Sequence, residues 1–309
     1  MGKSFEEIYS QEIKLPDTLA KRVAVVSCMA YSDMQRVYLV EDIKKRRFVL
    51  KTATGNKREL LKKDAAMLRE HAFSFLPEYV DYVEAADTGY LLREYIEGDT
   101  LWEWVNKRGV FNAREAREIL CRLCDMVGQF HQQKPSMIHR DIKPQNIVIT
   151  KEKNLFLIDM GTVREYKEDI RQDTVFVGTK PTAAPEQYGY RQTDGRADIY
   201  ALGVLYLFLL TGSLDVQCPK NWELLDEHVC AVIWKCTKMD PDDRYQSCEE
   251  LKKAVCAGKG RHRCFAVGKK RQAILRTAGA LLGSGIFFFA GVCQERTNRA
   301  GKRDINESE

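Results

Sequence analysis

The sequence predicts a two-lobed α+β architecture: a small strand-rich lobe, a larger helical lobe, and a C-terminal transmembrane helix. Three observations carry this. Residues 22–97 are mostly strand-like with one helical stretch. From about residue 100 onward, helical spacing of apolar residues dominates. Near the C-terminus an uncharged run, 277–294, follows a basic stretch. Strands segregated from helices mark the α+β class. The divisions read as an N-terminal extension (1–20), a small lobe (21–97), a large lobe (98–256), a basic linker (257–276), the span (277–294) and a short polar tail (295–309).

The elements follow in order. "KRVAVVSCM" and "RVYLVED" are strand-like runs on either side of "AYSDMQRV". "RRFVLKTA" alternates and is bounded by charge, as a strand should be. "KRELLKKDAAMLREH" is the helix of the first half. "AREAREILCRLCDMVGQFHQQ" repeats apolar residues at helical spacing. "DIYALGVLYLFLLTG" is apolar on nearly all sides, so it reads as a buried helix stopped by Gly212. "HVCAVIWKCTKMDPDDRYQSCEELKKAV" reads as two helices broken at Asp240-Pro241. The run "TAGALLGSGIFFFAGVCQ" is rich in glycine and small residues, which suits a membrane helix. Basic residues before it favour holding the lobes on the cytoplasmic side of the cell membrane.

Composition excludes several classes. A chain of 309 residues with 44% hydrophobic and 30% charged residues is ordinary for a globular protein. The net charge of +5 is mild, its Lys and Arg clustering near 259–276 without interleaved aromatics, so nucleic acid is not an expected partner. Ten cysteines are scattered. Cys121 and Cys124 form a CxxC inside an amphipathic helix, with no second pair or histidines at ligand spacing. They read as small buried thiols in a reduced compartment. The N-terminus has no apolar core of a signal peptide, and Glu6 stands where a myristoylation pattern wants Ser or Thr.

The chemistry concentrates in "HRDIKPQN". Asp141, Lys143 and Asn146 lie close enough for one loop to aim a carboxylate at an incoming hydroxyl, an ammonium at a phosphate and an amide oxygen at a metal. After the strand-like "NLFLID", Asp159 opens "DMG", and a carboxylate there can bind a magnesium ion bridging nucleotide phosphates.

With these words in order, the chain resembles the protein kinase superfamily over roughly residues 20–256. The resemblance rests on "FVLK", "HRDIKPQN", "DMG", "APE" at 184–186, "DIYALG" and "DPDDRY". Lys143 resembles the serine/threonine branch, and the basic stretch and C-terminal span resemble bacterial membrane-anchored Hanks-type kinases. The resemblance implies a protein-kinase-like fold using ATP and Mg²⁺. It implies transfer to serine or threonine hydroxyls of protein substrates, with autophosphorylation, in bacterial signalling. It leaves homodimerisation open, and adds the lipid bilayer as a partner of the C-terminal helix.

Carried over residue by residue, Asp141 would accept or orient the substrate hydroxyl proton and Lys143 would steady the γ-phosphate. Asn146 and Asp159 would hold magnesium. Lys51 would bind the α and β phosphates. Glu94 and Ile96 would pair with adenine through backbone groups, between Met29, Val37, Val49 and Val148. Arg140 could meet a phosphate on the activation segment, with Thr174 the better acceptor. Thr179 resembles the threonine that bonds the catalytic Asp and Lys, and Glu186 would pair with Arg244.

The chain departs from the family in three places. The glycine-rich lid pattern falls on Ala30, Ser32, Gln35 and Val37, so no glycine lies over the phosphates. Ala30 and Ser32 are small enough to cover a nucleotide, whereas Gln35 is larger. In place of the helix glutamate that should pair with Lys51, Asp64 is in the best register, with Glu59 a poorer fit. Arg93 stands where the family has an apolar residue before the hinge. A buried Arg needs a partner, and Asp64 is the expected one, which would leave Lys51 partly free. Two readings result: an active serine/threonine kinase, or a membrane-tethered pseudokinase serving as a nucleotide-sensing or partner-binding scaffold. The four intact chemical residues favour the first.

Overall fold

The structure is a computed structural model, which describes residues 13, 15–166, 179, 181–189 and 192–257. All belong to the unit Met1–Arg261; the second unit, His262–Glu309, lies outside them. A short helix, α1 (Asp17–Ala20), leads into strands β1 (Val23–Tyr31), β2 (Gln35–Asp42) and β3 (Arg47–Thr54). Helix α2 (Asn56–Glu70) follows, then β4 (Tyr79–Ala85) and β5 (Thr88–Glu94). The five strands form one antiparallel sheet in the order β1-β2-β3-β5-β4.

Register divides this sheet into two faces. Cross-strand partners share a face, as do residues two apart on a strand. Tyr38, Val40, Leu50, Tyr90 and Leu92 lie on one, packed with Val23 and with Leu19 of α1, which is fully buried. The extension predicted for 1–20 thus supplies a core residue. The opposite face carries Ala30, Val37, Val49, Lys51 and Arg93, because Ala30 pairs with Val37, Val37 with Lys51, and Val49 with Arg93. β3 is buried along five consecutive residues, Val49–Ala53, because both its faces are covered. Helix α2 packs across β3, β4 and β5.

The stretch "AYSDMQRV" is a tight hairpin in which only 32–34 lie outside the strands. The Ser32 N–H donates to the Gln35 carbonyl at 2.7 Å, and the Met34 carbonyl accepts from the Thr54 N–H at 3.0 Å. The lid tip is therefore tied back to the end of β3. The strand register slips between Cys28 and Ala30, at Met29.

The large lobe opens with β6 (Gly98–Thr100) and α3 (Leu101–Arg108), which Thr100 and Glu103 close with reciprocal side-chain-to-backbone bonds. Helix α4 (Ala113–His131) starts at Asn112 with the same device. Then come β7 (Met137–Ile138), a 3₁₀ turn at Pro144–Asn146, β8 (Ile147–Thr150), β9 (Leu155–Leu157) and β10 (Arg164–Glu165). β6, β8 and β9 form a small sheet and β7 pairs with β10. Helix α5 (Gly195–Thr211) is buried on nearly every side and stops at Gly212, whose φ of 73° is left-handed. After α6 (Pro219–Glu223) and α7 (Glu227–Cys236), the expected break at Asp240-Pro241 is a 3₁₀ turn, Pro241–Asp243, before α8 (Cys248–Ala257).

One core runs from α2 through α4 into α5, α7 and α8. Phe73 and Phe75, just after α2, meet Phe130 of α4 edge-on at 5.0 and 5.5 Å, and Leu157 donates its N–H to the Phe75 carbonyl at 2.9 Å. These contacts fix the end of β9 against the small lobe, and Asp159 lies two residues past it. No helix among the described residues is long and apolar enough to cross a membrane. The predicted span 277–294 and tail 295–309 lie outside the described residues, as does the predicted linker beyond Ala257.

Candidate active site

The cleft side of the sheet presents Lys51, whose ammonium is nearly buried. Its Nζ lies 2.6 Å from Asp64 Oδ2 and 3.3 Å from Asp159 Oδ1. Burial alone would lower the Lys51 pKa, but the charges of Asp159 and Asp64 outweigh it and hold the group above its ordinary value. Asp64 sits on α2, and its other oxygen accepts from the Met160 N–H at 3.1 Å. One carboxylate therefore ties β3 and α2 to the "DMG" loop.

The short reach of aspartate is met by a close helix. A β-carbon on Gly161 would lie 2.8 Å from the Leu60 carbonyl oxygen of α2. The glycine lets α2 approach the loop, and the approach lets Asp64 span the gap to Lys51. Asp64 is thus the partner the helix register indicated.

Arg93 does not take the partner expected of it. It is 3% exposed and forms no ion pair with Asp64 within 4.0 Å. Its guanidinium donates from one terminal nitrogen to the Glu94 carbonyl at 3.0 Å, and its Nε is buried without a hydrogen-bond partner among the described residues. The register explains it: Arg93 pairs with Val49, one same-face position beyond Lys51, while Asp64 is turned to Lys51 and the Met160 N–H. Lys51 is consequently not freed. Burial pushes the Arg93 guanidinium down, against the charges of Asp64, Asp159 and Glu94.

Asp141, Lys143 and Asn146 come together in the loop between β7 and β8. Lys143 Nζ lies 2.7 Å from Asp141 Oδ2, and Asn146 donates its amide to the same oxygen at 3.0 Å and to the Asp141 carbonyl at 2.9 Å. Thr179 joins them: its hydroxyl donates to Asp141 Oδ1 at 2.7 Å and accepts from Lys143 at 2.7 Å. Asp159 is about one-third exposed at the cleft, and the Gly161 N–H donates to its Oδ1 at 3.3 Å. Desolvation opposes ionisation of Asp159, but Lys51 and that N–H hold its carboxyl below the ordinary value.

The loop is shaped from beneath by Asp198, buried on α5. Its carboxylate accepts from the His139 and Arg140 N–H groups at 2.9 and 2.8 Å and pairs with His131 Nε2 at 2.9 Å. Arg140 sits at φ 66°, a left-handed conformation for a residue with a side chain. Its Nε donates to the Thr162 carbonyl at 2.9 Å, and its carbonyl accepts from the Gln187 side chain at 2.8 Å. Sequence reasoning quoted "DIYALG" but did not single out Asp198. The signal was there: an acidic residue opening the apolar run of a buried helix, which must be paired when buried.

The remaining positions divide. Val49, Ile96 and Val148 are buried, while Val37 and Glu94 are half-buried. Met29, Ala30 and Ser32 are exposed along the lid hairpin. Val148 abuts Gly98, where an added β-carbon would lie 2.8 Å from its Cγ1. Glu186 and Arg244 form a buried two-pronged pair at 2.7 and 2.8 Å, away from the cleft cluster in its bonding. Arg244 also donates to the Lys238, Met239 and Arg196 carbonyls. Thr174 lies outside the described residues.

A family model described as "Protein kinase domain" matches residues 22–266. The chain is 31% identical over 219 residues to serine/threonine-protein kinase B of Synechocystis sp. (strain ATCC 27184 / PCC 6803 / Kazusa), covering 64% of this chain and 38% of that protein. It is 28% identical over 259 residues to serine/threonine-protein kinase PrkC of Bacillus subtilis (strain 168), covering 75% of this chain and 40% of that protein. Over 272 residues it is 27% identical to serine/threonine-protein kinase PknB of Mycolicibacterium smegmatis, covering 77% and 43%. The chain therefore spans well under half the length of these relatives.

Proposed function

Since the chain belongs to the protein kinase family, we propose that it transfers the terminal phosphate of ATP to serine and threonine hydroxyls of proteins. The observation that carries this reading is the cluster of Asp141, Lys143, Asn146 and Thr179, bonded at 2.7–3.0 Å, with the Lys51–Asp64–Asp159 chain beside it.

Each side chain then has a task. Asp141 already accepts a bond from one alcohol, Thr179, and in this reading it orients a substrate hydroxyl and takes its proton. Lys143 places positive charge where the transferred phosphoryl group develops negative charge. Lys51, kept protonated by Asp64 and Asp159, binds the α and β phosphates. Val37, Val49 and Val148 close on the base with Met29 from the lid, while Ala30 and Ser32 cover the phosphates. The Glu94 and Ile96 backbones pair with its edge.

Asn146 and Asp159 are the residues that would hold magnesium. They fit: both offer hard oxygens, and Asn146 spends its amide nitrogen on Asp141, which leaves its oxygen as the donor. Bound magnesium supplies compensation of the nucleotide phosphate charge. Arg140, which burial and the neighbouring charge of Arg164 push down to about 10, would meet a phosphate on Thr174. Glu186 with Arg244 braces the large lobe, and the uncharged run 277–294 anchors the chain in the cell membrane.

The lid without glycine and the buried Arg93 favour a second reading, a pseudokinase that binds partners without turnover. The test is incubation of the full chain with magnesium and γ-labelled ATP, followed by phosphoamino-acid analysis. Labelled phosphoserine or phosphothreonine supports the proposal. An ATP-dependent thermal shift without any label supports the pseudokinase.

A further inference from the structure

Helices α4 and α8 lie side by side and run antiparallel, as three contacts record. Cys121 Sγ lies 3.3 Å from Cys256 Sγ. One turn along, Lys252 Nζ bridges both oxygens of Asp125 at 2.6 and 2.7 Å. One turn further, Gly128 faces Cys248, where an added β-carbon would come within 3.6 Å of the cysteine's own. The absent side chain at Gly128 lets the helices approach, and the Lys252–Asp125 pair fixes their register beside the two sulfurs.

Neither thiol takes part in the proposed phosphoryl transfer. Both are only half-buried, unlike Cys124, Cys236 and Cys248, so a small oxidant can reach them. For Cys121, though not for Cys124, this departs from the expectation of a small buried thiol. Their separation exceeds a disulfide bond by about 1.3 Å, a gap that side-chain rotation and a small helix adjustment close. Burial, then the contact with Cys256, pushes the Cys121 thiol up to about 12.

We propose that Cys121 and Cys256 are a site of reversible disulfide formation that staples α8 to α4 when peroxide is present. One of the two sulfurs, as its thiolate, attacks an oxygen of hydrogen peroxide and breaks the O–O bond, giving a sulfenic acid and hydroxide, which leaves as water after taking a proton. The other cysteine's sulfur then attacks the sulfenic sulfur. Its proton and the displaced hydroxide leave as a second water. Two thiols lose two electrons and one peroxide becomes two waters. A dithiol reductant reverses the step by thiol–disulfide exchange. In a reduced compartment the open pair is the resting form, and closure reports oxidant.

The experiment treats the reduced full chain with hydrogen peroxide, blocks remaining thiols, and digests it without reductant for mass spectrometry. The expected result is a peptide pair joined at Cys121 and Cys256, two hydrogens lighter than the free peptides and released by dithiothreitol. Two of the ten thiols become unreactive. Tm rises by roughly 5–10 °C, since the bond restricts the unfolded chain. Cys256→Ser and Cys121→Ala, each checked to melt like the reduced wild type, should abolish both effects. The proposal is overturned if Cys121 and Cys256 stay alkylatable while other cysteines oxidise. It is equally overturned if the joined peptides arise only between two chains, as a doubled mass on a non-reducing gel.

Discussion

Lys51 and Asp64 sit 2.6 Å apart because α2 comes close, and α2 comes close because residue 161 is glycine. This makes the short carboxylate a matched part. Lengthening it in place, Asp64→Glu, overfills a site that is 1% exposed and should destabilise the chain by about 1–3 kcal/mol. Phosphate transfer should fall with it. A denaturant midpoint measured beside the transfer rate checks this, and a variant as stable and active as wild type would contradict the matching. Arg93 presents the opposite case, since its guanidinium occupies the Glu94 carbonyl that the proposed function assigns to the base. Arg93→Met should therefore tighten ATP binding, read as a larger thermal shift at a fixed nucleotide concentration. An unchanged shift would place Arg93 outside the nucleotide's reach.

At the scale of elements, α4 and α5 are joined by an ionic contact beneath the loop that carries Asp141. Burial disfavours the charged His131 ring, but its bonds to Asp198 and Cys248 prevail and push its pKa up to about 10. A folded-state value above the unfolded one adds stability that is complete below about pH 6.5 and disappears as pH rises through about 10. The stability gap between wild type and His131→Asn should thus be widest at and below neutral pH and narrow toward pH 10. Urea midpoints at several pH values measure it, and a gap that widens with pH would refute the assignment. Helices α5 and α7 meet at Gly203, where an added β-carbon would fall on the Cβ of Cys236. Gly203→Ala should cost about 1–3 kcal/mol or more. A Tm equal to wild type would mean the helices are not so close.

Across the whole molecule, sequence and structure agree where information is local. "HRDIKPQN" places three chemical groups within six residues, so one loop must carry them wherever the chain goes. The buried helix 195–211 and its stop at Gly212 were legible for the same reason. What the sequence left obscure depends on contacts between distant segments. The partner of Arg93 is a backbone carbonyl, which no spacing of side chains reveals. The bracing of the loop by Asp198 joins positions 58 and 59 residues apart. The approach of Cys121 to Cys256 spans 135 residues and needs the packed helix pair to exist first. The tied-back lid is a compromise of both kinds: its place between two strands was readable from the runs flanking "AYSDMQRV", its anchorage to Thr54 was not.

The proposed function requires a complete phosphotransfer site beneath that altered lid. The most direct measurement is the rate at which the full chain moves labelled γ-phosphate from magnesium–ATP onto protein, for wild type and Asp141→Asn side by side. Wild type should label steadily and the variant at a rate lower by about 10²–10⁴-fold, with both proteins still stabilised by ATP. Equal labelling by the two, at the background of protein-free controls, would contradict it.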